Sequence, residues 1–272
     1  MCNLGSTLKQ SSAVHIPASY SADGILLSIS NNNEHFIINL ASVPGRQLVN
    51  SPTAQSLVRY RQCYLDSMLT KINRQDALRI YTTFPLRNYD YKKDEEMFFY
   101  PKIYTSNILT ILSKSFRGLS TQSGIGLTKL TKDLSYDTLL FMGDTELSWL
   151  NQNNDYRPAK EAQQYLINNK VGKRFNGALQ VHNSELPTFI KHLSWLTRCN
   201  ASLPYFHFID SGQNVVGHIC KYGNLHIDTL KEGTSTLLKK AISKSSFKYL
   251  DANNCYNQFG KSSAIPGRRI IV

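Results

Sequence analysis

Five of the seven histidines, His182, His192, His207, His218 and His226, fall between residues 182 and 226. Imidazole titrates near neutral pH and is a common metal ligand in its neutral form. The last three lie in apolar runs, Tyr205–Asp210, Val215–Lys221 and Leu225–Leu230, which read as a three-strand meander. A four-residue loop at Ser211–Asn214 would pair Asp210 with Val215 and set His207 opposite His218. Two cross-strand histidines on one face can hold a metal or share a proton. His226 and Asp228 are two apart and share a face of the next strand. A four-residue second loop would put His226 opposite Ile219, on the other face. A shift of one residue, which a bulged turn at Tyr222-Gly223 permits, reverses that.

The chemistry such a set could perform is metal-assisted hydrolysis. His207, His218, His226 and Asp228 are its candidate catalytic residues, and His207 and His218 its candidate metal ligands. The ordinary alternative is a set of half-buried strand histidines without a reaction. The chain contains no HExxH helix. Cys199 or Cys220 beside one of these histidines could also form a nucleophile–base pair.

The five cysteines, Cys2, Cys63, Cys199, Cys220 and Cys255, are odd in number, and no two have CxxC spacing. That spacing argues against a thiolate zinc site and for free thiols in a reducing compartment. The N-terminus lacks a charged region followed by an apolar run. No stretch approaches the roughly 20 apolar residues of a membrane span. A cytoplasmic location is therefore expected.

Charge points to a different kind of partner. The chain carries 31 Lys and Arg against 19 Asp and Glu, a net charge of +12. Residues 1–150 hold 15 basic and 12 acidic side chains; residues 151–272 hold 16 and 7. The net charges are thus +3 and +9, so the C-terminal region is the better candidate for a polyanionic partner. Lys170, Lys173 and Arg174 cluster there, as do Lys239, Lys240, Lys244, Lys248, Lys261, Arg268 and Arg269. Tyr249, Tyr256 and Phe259 are interleaved with them. Cations can neutralise phosphates and aromatic rings can stack on unpaired bases. The Gly118–Gly126 segment, flanked by Arg117 and Lys129, could offer backbone amides to a phosphate. It is neither a Walker A loop nor a dinucleotide fingerprint. No cofactor is expected.

These residues must be positioned by an α+β framework, a mixed or antiparallel sheet with helices packed on one side. Gly24–Ser30 and His35–Ala41 suggest a hairpin. Ser51-Pro52 opens a helix running to about Asn73, with Arg59, Arg61, Lys71 and Arg74 on a solvated face. Ala77–Phe84 reads as a strand, Pro85–Glu96 as a charged loop and Met97–Leu112 as one or two strands. Arg117–Lys132 reads as a flexible Gly/Ser/Thr-rich segment, and Tyr136–Trp149 returns to strand. Asn151–Pro158 is linker-like, which divides the chain into regions 1–150 and 151–272 unless the two are continuous. A short helix at Ala159–Asn168 follows. Phe175–His182, a helix opened by Ser184 and running to Arg198, the meander, a basic helix at Thr234–Lys244 and Phe247–Asp251 complete a β-α-β-β-β-α-β unit.

The absence of a complete active-site motif favours a binding role over an enzyme. The expected function is binding of DNA or RNA through the phosphate backbone, as a subunit of a larger assembly. A His/Asp hydrolase or nuclease is the second reading and a protein–protein adaptor the third.

Overall fold

Alternation along the strands decides which side chains meet the helices and which meet the opposite face of the sheet. The computed structural model describes residues 18–21, 24–31, 34–39, 69–90, 92–201, 205–250, 254–260 and 264–269. The chain divides into two units, residues 1–67 and 68–272. In the first, β1 (Ala18–Ser21), β2 (Gly24–Asn31) and β3 (Glu34–Asn39) form an antiparallel sheet in that order. The hairpin expected over 24–41 is β2–β3, with Leu27 opposite Ile38.

The second unit opens with β4 (Leu69–Ile72) and α1 (Arg74–Ile80). A hairpin follows, β5 (Leu86–Asp90) and β6 (Glu95–Phe99), then β7 (Thr105–Thr110) and α2 (Phe116–Asp133). Next come β8 (Thr138–Gly143), α3 (Arg157–Asn168), β9 (Ala178–His182) and α4 (Leu186–Cys199). The chain finishes with β10 (Phe206–Asp210), β11 (Val215–Ile219), β12 (Leu225–Thr229), α5 (Glu232–Ser243) and β13 (Lys248–Tyr249). The expected β-α-β-β-β-α-β unit is therefore present as β9-α4-β10-β11-β12-α5-β13. It belongs to one antiparallel sheet of eight strands, ordered β13-β7-β12-β11-β10-β8-β9-β4. β8 pairs with both β9 and β10, so the sheet runs across residue 150 without a break.

Phe141, Phe206, Phe208, Val215, Leu225 and Ile227 point to the face covered by α2, α3, α4 and α5. Trp149 stacks on Phe206 at 4.0 Å and donates from Nε1 to the Gly177 carbonyl. Each large apolar side chain fully buried here contributes roughly 1.5–3 kcal/mol. The alternate residues Leu140, Met142, Ile209 and Val216 pack on the other face against Ala77 and Tyr81 of α1 and its C-terminal edge, and against Phe84. His207, His218, His226 and Asp228 share the parity of this second set.

Several local expectations are corrected. Leu69–Ile72 is a strand rather than the end of a helix, paired with Ala178–Val181; the rest of that expected helix lies outside the described residues. Of the strand expected over Ala77–Phe84, residues 77–80 are instead helical, part of α1, whose start is fixed by the Asn73 side chain capping the Gln75 amide. Arg74 is buried, donating to the Gly143 carbonyl, rather than solvated. The charged segment after Pro85 is the β5–β6 hairpin. Arg117–Lys132 is the longest described helix, α2, capped by Ser115. Its glycines serve close packing: a Cβ at Gly124 would lie 2.6 Å from the Pro187 carbonyl oxygen in α4. Ser184 is not the cap of α4; Glu185 holds that position and Ser184 bonds His182.

Candidate functional site

The histidine register is set by two turns. Asp210 accepts hydrogen bonds from the backbone amides of Gly212, Asn214 and Val215 and from the Asn214 side chain. This closes Ser211–Asn214 as a four-residue loop and places His207 opposite His218. The next loop, Cys220–Asn224, has five residues, with Gly223 at φ +85°. That left-handed conformation suits glycine. The extra residue sets His226 opposite His218, which resolves the parity left open by the sequence.

Three imidazoles therefore lie side by side across β10, β11 and β12. The rings of His207 and His218 are 5.1 Å apart, and those of His218 and His226 are stacked at 4.5 Å. His207 is 3% exposed and is walled by Phe84 and Tyr100. Neither of its ring nitrogens has a hydrogen-bond partner among the described residues; the same is true of one nitrogen each on His218 and His226. Burial pushes the His207 pKa down to about 3, helped by Arg87 and His226. His218 is lowered by the same cause, with His207 and His226 adding to it. His207 and His218 are therefore neutral at pH 7. Asp228 is engaged elsewhere, because its Oδ2 accepts from the Tyr100 hydroxyl at 2.7 Å. Burial and that carboxylate hold the Tyr100 phenol well above its ordinary pKa.

Two cysteines join the cluster. Cys220, two residues beyond His218, has its Sγ 3.2 Å from that of Cys255. Asn224 holds the incoming segment by donating from Nδ2 to the Cys255 sulfur and to the Tyr256 carbonyl. A ligand atom of each of Cys220, His226 and Cys255 lies within 4.8 Å of the others. Hydrogen bonds from Cys220, His226 and Asn224 favour the Cys255 thiolate, while the same pairing and burial push Cys220 up. No two cysteines have CxxC spacing, yet the fold places two sulfurs beside one imidazole. The Cys220–Asn224 turn and the segment after β13 bring together cysteines 35 residues apart, and no linear motif announces it. A signal did exist in the His218-x-Cys220 pair at a strand end, but its partner Cys255 follows a further helix and strand. Cys199 does not join them as a nucleophile; it is buried, and burial raises its pKa to about 11.

The cluster opens on a cavity of about 560 Å³ lined also by Arg87, Phe98, Tyr205, Tyr222, Lys221 and Arg268. Arg87 is held by the buried Asp144 at 3.4 Å, and Arg268 donates through Nη1 to the Thr197 and Arg198 carbonyls. The remaining basic candidates lie on several elements. Lys239, Lys240, Lys244 and Lys248 are exposed on α5 and β13, and Lys170, Lys173 and Arg174 are exposed between α3 and β9. Arg117 is exposed at the start of α2; Lys129 pairs with Asp133 and Arg269 with Asp155. Because Gly118–Gly126 is helical, the expected phosphate loop between Arg117 and Lys129 does not exist. Lys261 lies outside the described residues. No helix among the described residues is long and apolar enough to cross a membrane.

No protein-family model matches this chain, and no curated protein or solved structure does so either.

Proposed function

We propose that this chain is a metal-dependent hydrolase whose centre is built on Cys220, His226 and Cys255. The observation that carries the reading is the convergence of two sulfurs and an imidazole within 4.8 Å at the wall of a cavity. Two thiolates and one imidazole suit zinc, and three protein ligands leave a fourth position for water or substrate. A metal there would lower the pKa of a bound water and polarise a substrate oxygen. His207, buried, neutral and unpartnered at both ring nitrogens, and His218, neutral and unpartnered at Nδ1, would supply groups that can accept a proton beside that position.

The test is metal analysis of the purified protein, followed by zinc titration of chelator-treated protein. About one zinc per chain, lost in the double variant Cys220→Ser/Cys255→Ser, is the expected result. Hydrolysis of bis-p-nitrophenyl phosphate should then require the metal. Absence of stoichiometric binding by any soft divalent ion would overturn the reading.

Nucleic-acid binding through the phosphate backbone is the second reading. It is favoured by Lys239, Lys240, Lys244 and Lys248, which are exposed and make no ion pair among the described residues. Such binding must weaken steeply with salt and fall when Lys239, Lys240 and Lys244 become Ala. Affinity retained at high salt would refute it.

A further inference from the structure

The cavity beside the cysteine–histidine cluster has a lining that selects for more than a metal. No carboxylate lines it among the described residues, whereas Lys221 and Arg268 do. The charge of Arg87 is already balanced by Asp144 at 3.4 Å and Glu96 at 3.9 Å. Lys221 is exposed, makes no ion pair among the described residues and lies 5.1 Å over the Tyr222 ring. Arg268 is oriented by its bonds to two main-chain carbonyls. A positive lining of this kind attracts an anion. The same walls carry Phe98, Tyr205 and Tyr222. Phe98 and Tyr205 are large aromatic side chains left 58% and 49% exposed. Tyr205 is backed by the His218 ring at 5.5 Å, so it presents a supported surface. Exposed aromatic faces next to cations are what a flat, π-rich group bearing phosphate would use. The volume of about 560 Å³ falls within the range of roughly 300–1,000 Å³ typical of small-molecule sites.

We infer that the cavity binds a nucleotide, with Lys221 and Arg268 receiving the phosphate and Tyr205 stacking on the base. This inference rests on the hydrolase reading for its chemical consequence, since it names the phosphoester presented to the centre. The binding step itself requires no metal, and the experiment uses that difference.

AMP, ribose 5-phosphate, adenosine and inorganic phosphate are titrated calorimetrically into the full chain, once with zinc and once with chelator. AMP should bind at least tenfold tighter than ribose 5-phosphate or adenosine under at least one condition. Lys221→Gln should weaken AMP and ribose 5-phosphate several-fold and leave adenosine unchanged. Tyr205→Ala should weaken AMP and adenosine and leave ribose 5-phosphate unchanged. Both substitutions are at exposed side chains, and matching thermal midpoints confirm that each variant folds. Equal affinity for AMP and ribose 5-phosphate would overturn the base contact, and with it the nucleotide. So would absence of AMP binding at millimolar concentration under both conditions. Zinc bound without AMP defeats this inference alone; AMP bound without zinc defeats the metal reading alone.

Discussion

Acidification from pH 7 to pH 5 should destabilise this protein more than its carboxylates alone would allow, and His207 is the main reason. In the unfolded chain a histidine has a pKa near 6.5 and takes up a proton across that interval. In the folded chain His207 is 3% exposed and its pKa is lowered to about 3, so it stays neutral. The unfolded state therefore binds more protons, and stability falls as pH drops below about 6.5. It continues to fall until the folded pKa is reached. For one group the loss from pH 7 to pH 5 is about 2 kcal/mol, a substantial part of a total of roughly 5–15 kcal/mol. His218, lowered by burial and then by His207 and His226, contributes in the same direction. His192, lowered to about 4 by burial and then Lys191, adds about 1 kcal/mol after allowance for solvent screening. Urea unfolding followed by tryptophan fluorescence at pH 7, 6 and 5, with chelator present, measures the slope. Substituting His207→Leu removes one titrating group and two unpaired ring nitrogens. At pH 7 this variant should be at least as stable as the parent, because buried unpaired polar atoms cost about 1–3 kcal/mol. Its loss between pH 7 and 5 should be smaller by about 2 kcal/mol. An unchanged loss in His207→Leu would refute the reasoning.

Other substitutions test the positioning of the site. A Cβ at Gly217 would lie 2.5 Å from both the His226 carbonyl oxygen and the Phe208 ring. Gly217→Ala should cost about 1–3 kcal/mol in urea unfolding and weaken zinc binding by displacing β12. Gly223 combines φ +85° with a Cβ position 2.7 Å from Leu119. Gly223→Ala should lower both stability and zinc affinity, whereas Cys255→Ser should remove zinc with little change in the metal-free thermal midpoint. Gly124→Ala, against the Pro187 main chain, should cost about 1–3 kcal/mol without altering zinc affinity per folded molecule, since it acts on the helix face of the sheet.

The C-terminal sheet was legible because each strand alternates cleanly. In Phe206-His207-Phe208-Ile209 the phenylalanines face the helices and His207 and Ile209 face away, and β12 repeats the pattern with Leu225, Ile227 and His226. Where a rule of local chemistry has two physical causes, the sequence misleads. Glycine in residues 117–132 reads as chain freedom, yet in α2 Gly124 and Gly126 admit Pro187 and Phe247 into close contact. Ala77–Phe84 carries apolar residues without a clear helical period. The start of α1 is decided by the cap at Asn73 and its first-turn Asp76. For the site, the His207–His218 pairing followed from loop length and turn chemistry. The place of His226 depended on one residue in the Cys220–Asn224 loop. The arrival of Cys255 depended on contacts beyond the sheet, which no local pattern encodes.

The same two turns that set the register also assemble the proposed site, which ties the fold to the proposed function more closely than the net charge does. Asp210 commits its carboxylate to four donors in the first turn, and so aligns His207 with His218 rather than serving as a site residue. The second turn carries Cys220 at one end and Asn224 at the other. Asn224 captures Cys255, so the loop that aligns His226 also brings in the second sulfur. Buried polar groups in native proteins are ordinarily satisfied. Here the turns satisfy theirs while the imidazoles facing the cavity do not. A core under selection for stability alone would fill the His207 position with an apolar side chain, as its neighbours Met142 and Ile209 do. Unpaired imidazoles there carry a cost in stability, which the proposed ligand site would account for. The exposed surface lysines carry no comparable cost, and their charge lends the weaker support to a proposal.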